Sequence, residues 1–71
     1  MNLKNKNLII TGGANGIGRA LADRFLEESP NSIHLIDINP DVIHVAESIG
    51  AKAHIADVAN EEQFAIVLNQ I

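Results

Sequence analysis

The feature of this chain that most constrains its fold is a glycine-rich stretch, residues 11–18, between a short apolar run and a helical pattern. The apolar run is Leu8-Ile9-Ile10, and the helical pattern begins at Ile17. A buried strand of a parallel sheet has this apolar character, and apolar residues three and four apart are typical of an amphipathic helix. The stretch therefore predicts a strand, a glycine loop and a helix in that order.

Three glycines of the loop are predicted to have separate physical roles. Gly12 lets the chain leave the strand in a conformation that a Cβ would disfavour. Gly16 makes room for a ligand against the backbone, and Gly18 lets the helix lie close to the sheet. The first N–H groups of that helix have no partner within the helix, and the helix dipole favours an anion there. The pyrophosphate of a dinucleotide fits this description.

The spacing alone does not decide between a ligand site and a plain strand-to-helix turn. It is Gly-x-x-x-Gly-x-Gly rather than Gly-x-Gly-x-x-Gly, and glycines also mark ordinary turns. The context favours a dinucleotide, because Asp37 ends the next apolar run, and the dinucleotide fingerprint expects an acid about twenty residues after the loop.

Hydrophobic periodicity and turn residues predict three strands alternating with three helices. The predicted strands are 7–11, 32–36 with Asp37 at the end, and 51–56. The predicted helices are 17–29, a second that opens with Asn39-Pro40-Asp41 and stops at Gly50, and a third that begins with a capping-box-like pair, Asn60 and Gln63.

Each predicted helix has one apolar stripe that is expected to be buried. The stripes are Ile17, Leu21 and Phe25 with Ala22 and Leu26; Val42, Val45, Ala46 and Ile49; and Phe64, Val67, Leu68 and Ile71. Right-handed crossovers make the strands parallel in the order 3-2-1, with the first two helices on one face.

Three segments resemble the short-chain dehydrogenases/reductases. Thr-Gly-x-x-x-Gly-Ile-Gly at 11–18 is similar to the cofactor loop of that family, residues 35–39 resemble the end of its second strand, and Ala56-Asp57-Val58 resembles the end of its third. The resemblance runs through nearly the whole chain but covers only the N-terminal part of such an enzyme. It implies an α/β chain with a partial Rossmann (doubly wound) fold, β-α-β-α-β-α.

The resemblance implies which residues contact the cofactor: Gly12, Asn15, Gly16, Ile17, Gly18, Asp37, Ile38, Asp57 and Val58. The N–H groups of Asn15 and Ile17 would bind the pyrophosphate, although Asn15 has the alternative role of stabilising the loop. Asp57 and Val58 would bind adenine; the alternative is that Asp57 only begins a turn. Asp37 would accept hydrogen bonds from the ribose hydroxyls and repel a 2′-phosphate, and the apolar Ile38 replaces the basic residue common in NADP-dependent relatives. NAD is therefore expected in preference to NADP.

The catalytic part of the family pattern has no counterpart in the sequence. The family uses a Tyr-x-x-x-Lys motif with an upstream serine, and this chain contains no tyrosine. The parent reaction implied is hydride transfer between nicotinamide and an alcohol or carbonyl, but this chain alone is expected to be inactive. The alternatives are a non-catalytic binding or self-assembly module and an inert truncated product.

Composition narrows the partners. A formal charge of −4 argues against nucleic acid and acidic membranes, and the absence of cysteine excludes disulfides and thiolate chemistry. Without an apolar leader, a cytoplasmic protein is the simplest interpretation. Residues 1–71 are expected to form a single partial domain, and self-association is expected through the free edge of the first strand or an open sheet face.

Two histidines, His34 and His54, each lie three residues before a strand-end aspartate. In neighbouring parallel strands in register they would lie side by side. Half-buried sheet histidines are favoured over a metal pair, because no third ligand is evident at suitable spacing.

Overall fold

The computed structural model describes residues 3–71, so the first two residues of the expected domain lie outside the described residues. Its elements are β1 (Asn7–Thr11), α1 (Gly16–Leu26), β2 (Ser32–Asp37), α2 (Val42–Ile49), β3 (Lys52–Ile55) and α3 (Glu61–Gln70). The strands form a parallel sheet with β2 in the centre. The β-α-β-α-β-α order and the 3-2-1 strand order are both confirmed.

The strand register differs from the one expected for the two histidines. Ile9 of β1 lies opposite His34, but His34 lies opposite Lys52 rather than His54. At the carboxyl edge Asp37 lies opposite Ile55. The chain must therefore continue two residues past that pair to reach Asp57, so the two strand-end aspartates are not level.

The sheet separates two apolar layers, as the alternation of side chains along parallel strands requires. The larger layer lies under α1 and α2; its buried members are Ile10, Ala22, Ile33, Leu35, Val42 and Ala46. The smaller layer lies under α3 and contains Ile36, Ala56 and Val67, with Phe64 partly buried. The prediction that the first two helices share one face is confirmed.

The buried stripe predicted for α1 is wrong for Ile17 and Leu21, although Phe25 does pack against the core. Gly18 and Ala22 are buried, whereas Ile17 is 78% exposed and Leu21 44%. Gly18 and Ala22 are four residues apart and therefore lie on one face of the helix. Because both are small, this face lies close to the rest of the protein, and Ile17 and Leu21 beside it are exposed. The helix also ends at Leu26 rather than 29, because Ser29 adopts a left-handed conformation (φ 54°) that ends the helical path.

The second helix follows its prediction closely. Val42 and Ala46 are buried, and Val45 and Ile49 pack beside them. Gly50 ends the helix in a left-handed conformation (φ 74°), as expected. The side-chain oxygen of Asn39 accepts the N–H of Asp41, but that bond closes a turn before the helix, which begins at Val42.

The third helix contacts the sheet along a narrower stripe than predicted. Val67 is buried and Phe64 partly buried, but Leu68 is 45% exposed and Ile71 lies at the exposed C-terminal end. Among the described residues no element flanks α3, so only its line of closest approach is covered. Within residues 3–71, no helix is both long and apolar enough to cross a membrane.

The free edge of β1 retains the exposed apolar character expected of it. Ile9, on the α3 side of the sheet, is 41% exposed. Unpaired strand edges can recruit other strands. Self-association through this edge stays a prediction, for which light scattering on the purified chain is the measurement.

Candidate functional site

The glycine loop leaves β1 through the conformation that its sequence predicted. Gly12 has a φ of 74°, a region that residues with a Cβ rarely adopt. Its N–H donates to the carbonyl oxygen of Ile36 at 2.8 Å. The backbone ladder between β1 and β2 therefore continues into the first residues of the loop.

Two other glycines are required by close packing. A Cβ on Gly18 would overlap the carbonyl oxygen of Gly12 and lie 2.8 Å from the Cα of Gly13. A Cβ on Gly13 would lie 2.7 Å from the Cβ of Leu35 in the strand below. Gly18 thus brings α1 against the loop backbone, rather than against the sheet as predicted, and Gly13 brings the loop against β2.

The space above Gly16 is open. A Cβ added there would have no atom within 4 Å, and the φ of Gly16 is not positive. Within the described residues the N–H groups of Gly16 and Ile17 make no hydrogen bond, whereas Gly18 donates to the side-chain oxygen of Asn15 at 2.9 Å. A helix N-terminus with free donors and open space can accept an anionic group such as a pyrophosphate.

Asn15 takes the alternative role left open by the sequence. It caps α1 with its side chain, and its own N–H lies 3.3 Å from the carbonyl oxygen of Gly12. The second contact is long for a backbone hydrogen bond. The Asn15 N–H is therefore only weakly engaged, and its predicted contact with a pyrophosphate stays a prediction.

The carboxylate of Asp37 lies at the carboxyl end of β2 and connects two loops. One oxygen accepts the N–H of Ala14 at 3.0 Å, and the other accepts the N–H of Asn39 at 3.0 Å. The backbone hydrogen bonds from Asn39 and Ala14 hold the pKa of Asp37 below its usual value, because they stabilise the charged form. Asp37 is therefore ionised at neutral pH.

A cleft of about 180 Å³ opens beside Asp37 at the same edge of the sheet. It is lined by Gly12, Ile36, Asp37, Ile38, Ala56, Asp57 and Val58. Ile38 and Val58 expose apolar surface at its rim. The cleft thus combines apolar walls with two carboxylates, which suits a flat ring that carries a polar substituent and a hydroxylated sugar.

The segment after β3 is held in place by side chains of its own turn. Asp57 accepts the N–H of Ala59 at 2.9 Å, and the side chain of Gln63 accepts the N–H of Asp57 at 2.8 Å. Gln63 was predicted to complete a capping box with Asn60, which does accept the N–H of Gln63. The return bond goes instead to Asp57, so α3 helps to position one wall of the cleft.

All of the site residues predicted from the sequence lie at the carboxyl edge of the sheet. Five of them line the cleft, namely Gly12, Asp37, Ile38, Asp57 and Val58, and the other four, Asn15 to Gly18, form the start of α1 beside it. The structure adds Gly13, Ala14 and Gln63, which the sequence reasoning had not assigned to the site. Gly13 could have been noticed in the sequence, because it is the fourth glycine of residues 11–18. The hydrogen bond of Ala14 to Asp37 depends on the tertiary structure.

A second polar feature lies on the opposite, α3 side of the sheet. Nδ1 of His34 and Nε2 of His54 are 2.9 Å apart, although the residues are diagonal rather than level. The ring centroids are 5.2 Å apart and the ring planes differ by 21°. Since that separation is the N···N distance plus about one ring diameter, the rings meet edge to edge in a nearly linear hydrogen bond.

A hydrogen bond across this distance needs a proton on one of the two nitrogens and a lone pair on the other. Within residues 3–71, no group of three or more His, Cys, Asp or Glu side chains could hold a metal ion. His34 is buried (4% exposed), more deeply than the half-buried position expected.

The histidine pair is expected to make stability depend on pH. Burial first, then the charges of His54 and Lys52, lower the pKa of His34 below its ordinary value of 6.5. The unfolded chain therefore protonates at His34 at a higher pH than the folded chain does. The contribution of neutral His34 to the free energy of unfolding is fully present above pH 6.5 and is lost as the pH falls through the folded pKa. Among the described residues that line the cavities beside the pair, Lys52 is the charged side chain, and α3 contributes the neutral Gln63 and Gln70.

Urea unfolding at pH 7.5, 6.5 and 5.5 measures this effect. The free energy of unfolding should decrease as the pH is lowered from 7.5 to 5.5, both in the natural chain and in His44→Gln, which alters an exposed histidine of α2. The decrease should shrink in His34→Leu. Equal pH dependence in all three proteins would contradict the assignment. Asp37 acts in the same direction only below pH 3.8, outside this range.

Comparisons with known proteins identify a family for this chain. The family model described as short chain dehydrogenase matches residues 6–71. An NAD-dependent glycerol dehydrogenase from Listeria innocua is 34% identical over an alignment of 73 positions, which covers 99% of this chain and 28% of that protein. The alignment therefore includes nearly every residue discussed above.

Two solved structures are similar in fold as well as in sequence. A structure described as a D-mannonate oxidoreductase from Haemophilus influenza with bound NAD has a TM-score of 0.89 and 34% identity, over 99% of this chain and 27% of that one. L-Sorbose reductase from Gluconobacter frateurii, complexed with NADPH and L-sorbose, has a TM-score of 0.76 and 30% identity, over 99% of this chain and 29% of that one. The chain spans less than a third of the length of each of these three proteins.

Proposed function

This chain belongs to the short-chain dehydrogenase family, and from that membership we propose that it binds the adenosine and pyrophosphate half of a nicotinamide dinucleotide. The site for the nucleotide is the cleft at the carboxyl edge of the sheet together with the open N-terminus of α1. The preferred cofactor is NAD(H). The reaction of the parent enzyme is hydride transfer between nicotinamide and an alcohol or carbonyl.

The single observation that carries this proposal is the position of the Asp37 carboxylate. It is ionised, it lies on the wall of the cleft, and it is joined to the loop whose helix start offers free N–H groups. An adenosine in the cleft would present its ribose to Asp37 and its phosphates to Gly16 and Ile17. The remaining lone pairs of the carboxylate can accept the ribose hydroxyls.

The family alone does not decide between the two dinucleotides, since one similar structure contains NAD and another NADPH. The preference for NAD rests on charge. A 2′-phosphate would lie next to the Asp37 carboxylate, and no basic side chain follows it, because the next residue is Ile38.

The chemistry of the cofactor, when it is bound, is to accept or donate a hydride at its nicotinamide ring. The residues of this chain bind and orient the other half of the molecule. The 71-residue sequence contains no tyrosine to serve as the family's general acid/base, so we propose that this chain by itself does not turn over. Incubation of the purified chain with NAD and a panel of alcohols tests this proposal. NADH formation in proportion to the amount of purified chain would contradict it.

Calorimetric titration with NAD and NADP tests the cofactor preference. We expect NAD to bind roughly tenfold more tightly or better, since each 1.4 kcal/mol is a factor of ten and a phosphate beside a partly exposed carboxylate costs at least that much. The double variant Asp37→Ser/Ile38→Arg should bind NADP more tightly than NAD. Ile38→Arg alone should reduce the difference between the two affinities. Equal affinities in the natural chain, or tighter NADP, would contradict the preference.

A further inference from the structure

Two hydrogen bonds tie the glycine loop to the end of β2. The first is the backbone bond from Gly12 N–H to the carbonyl oxygen of Ile36, at 2.8 Å. The second is the bond from Ala14 N–H to the carboxylate of Asp37, at 3.0 Å. The second bond fixes the loop one residue before Asn15, the residue that caps α1.

The position of Ala14 matters because the loop has few other restraints there. The N–H of the next residue, Asn15, reaches the carbonyl oxygen of Gly12 only at 3.3 Å. The N–H groups of Gly16 and Ile17 are not held by any described partner. The direction in which those two donors point therefore depends on the peptides before them. Among the described hydrogen bonds from the N–H groups of residues 13–17, the Ala14–Asp37 bond is the one with a charged acceptor, and such bonds are stronger than neutral ones.

Asp37 itself is fixed on its other side. Its second oxygen accepts the N–H of Asn39 in the turn after β2, so the carboxylate bridges the loop after β1 and the turn after β2. A carboxylate held at both oxygens cannot rotate away from the loop without breaking a bond. It keeps lone pairs that these two N–H groups do not use, and Asp37 lines the cleft.

We propose that Asp37 is a positioning residue for the phosphate-binding loop, in addition to its contact with the ribose. Its carboxylate holds the Ala14 peptide so that the free N–H groups at the start of α1 are aligned before the nucleotide arrives. This proposal deepens the function proposed above and rests on it. Recognition of the sugar and recognition of the pyrophosphate thereby share one side chain.

The chain contains a matched control for this role. Asp57 follows the neighbouring strand, lines the same cleft and accepts the N–H of the residue two positions on, as Asp37 does. No described hydrogen bond joins Asp57 to the glycine loop. Asp57→Ala therefore changes the charge of the site and a local turn but leaves the loop anchor intact.

The first measurement compares ADP with 2′,3′-dideoxy-ADP, which lacks the ribose hydroxyls that Asp37 would bind directly. If Asp37 acted only on the ribose, Asp37→Ala would leave the affinity for the dideoxy ligand unchanged or raise it, because a negative charge near the diphosphate is removed. We expect instead that the affinity for dideoxy-ADP falls about tenfold in Asp37→Ala, because the alanine side chain has no acceptor for the Ala14 N–H. Asp57→Ala can weaken binding through its own contact with adenine but leaves the Ala14 bond in place, so its loss of affinity should be smaller than that of Asp37→Ala.

The second measurement needs no ligand and separates this proposal from the proposed function. Amide hydrogen exchange at Ala14, followed by NMR in the nucleotide-free protein, should be at least tenfold faster in Asp37→Ala, which lacks a side-chain acceptor, than in the natural chain or in Asp57→Ala. If neither ADP nor NAD bound the natural chain, the proposed function would fail while this exchange result still decided the anchor. Unchanged exchange at Ala14, or undiminished affinity for dideoxy-ADP, overturns the positioning role.

Discussion

Replacing Gly16 with valine is expected to abolish measurable binding of NAD while the fold remains intact. The new side chain would meet no protein atom within 4 Å of its Cβ, and the φ of Gly16 suits any residue, so the chain can accommodate it. The same side chain would fill the space above the free N–H groups of Gly16 and Ile17. Calorimetry should show a loss of at least a hundredfold in affinity, and circular dichroism should be unchanged.

The control for Gly16→Val is Ala20→Val, which adds the same branched side chain at an exposed position one turn further along α1. It should retain the affinity of the natural chain. Binding by Gly16→Val as tight as that of the control would mean that the open space above the loop is not where the phosphates lie.

Replacing Gly18 with alanine is expected to have the largest effect on stability. Its Cβ would overlap the carbonyl oxygen of Gly12 and lie 2.8 Å from Gly13, and backbone cannot move aside as a flexible side chain can. Overpacking of this kind costs about 1–3 kcal/mol, and we expect the upper end of that range. For a chain of this size, with a total stability of roughly 4–10 kcal/mol, the loss is a large fraction.

Gly16→Ala is the matched comparison for Gly18→Ala, two residues away in the same helix. Its Cβ would lie in open space, and alanine favours helix over glycine by about 0.5–1 kcal/mol, so the variant should be as stable as the natural chain or more so. Urea unfolding of both variants measures the difference. Equal stabilities would show that the close approach of α1 to the loop is not rigid.

The parts of this molecule that could be predicted from sequence are those that depend on local backbone chemistry. The left-handed conformations of Gly12 and Gly50 follow from residue type, and each was predicted at its position. The bounds of β1 were also predicted, because a short apolar run beside a turn residue has few alternatives. The order of the strands then followed from the handedness of the crossovers.

The errors arose where neighbouring elements decide the outcome. In α1 the apolar pattern favoured Ile17 and Leu21 as buried residues, but the small side chains of Gly18 and Ala22 allow a closer approach that exposes them. In α3 the exposure of Leu68 depends on which elements flank the helix. The spacing of apolar residues in the sequence does not show how closely a helix approaches its neighbours or which elements flank it.

The candidate site divides in the same way. Asp37 was assigned from its place at the end of a strand, but its bond to Ala14 depends on how two loops meet across the sheet edge. The offset between β2 and β3, which makes His34 and His54 diagonal neighbours, is likewise a tertiary property. Sequence position identified the candidate side chains, and the structure identified their hydrogen-bond partners.

The central claim is that the carboxyl edge of the sheet, and not another surface, binds the nucleotide half of NAD. Titration of the labelled chain with NAD, followed by NMR of the backbone amides, tests it most directly. The account predicts that the largest shifts occur in residues 12–18, at Asp37 and Ile38, and at Asp57 and Val58, with little change around His34 and His54. Shifts concentrated on the histidine side of the sheet, or no shifts at millimolar NAD, would contradict it.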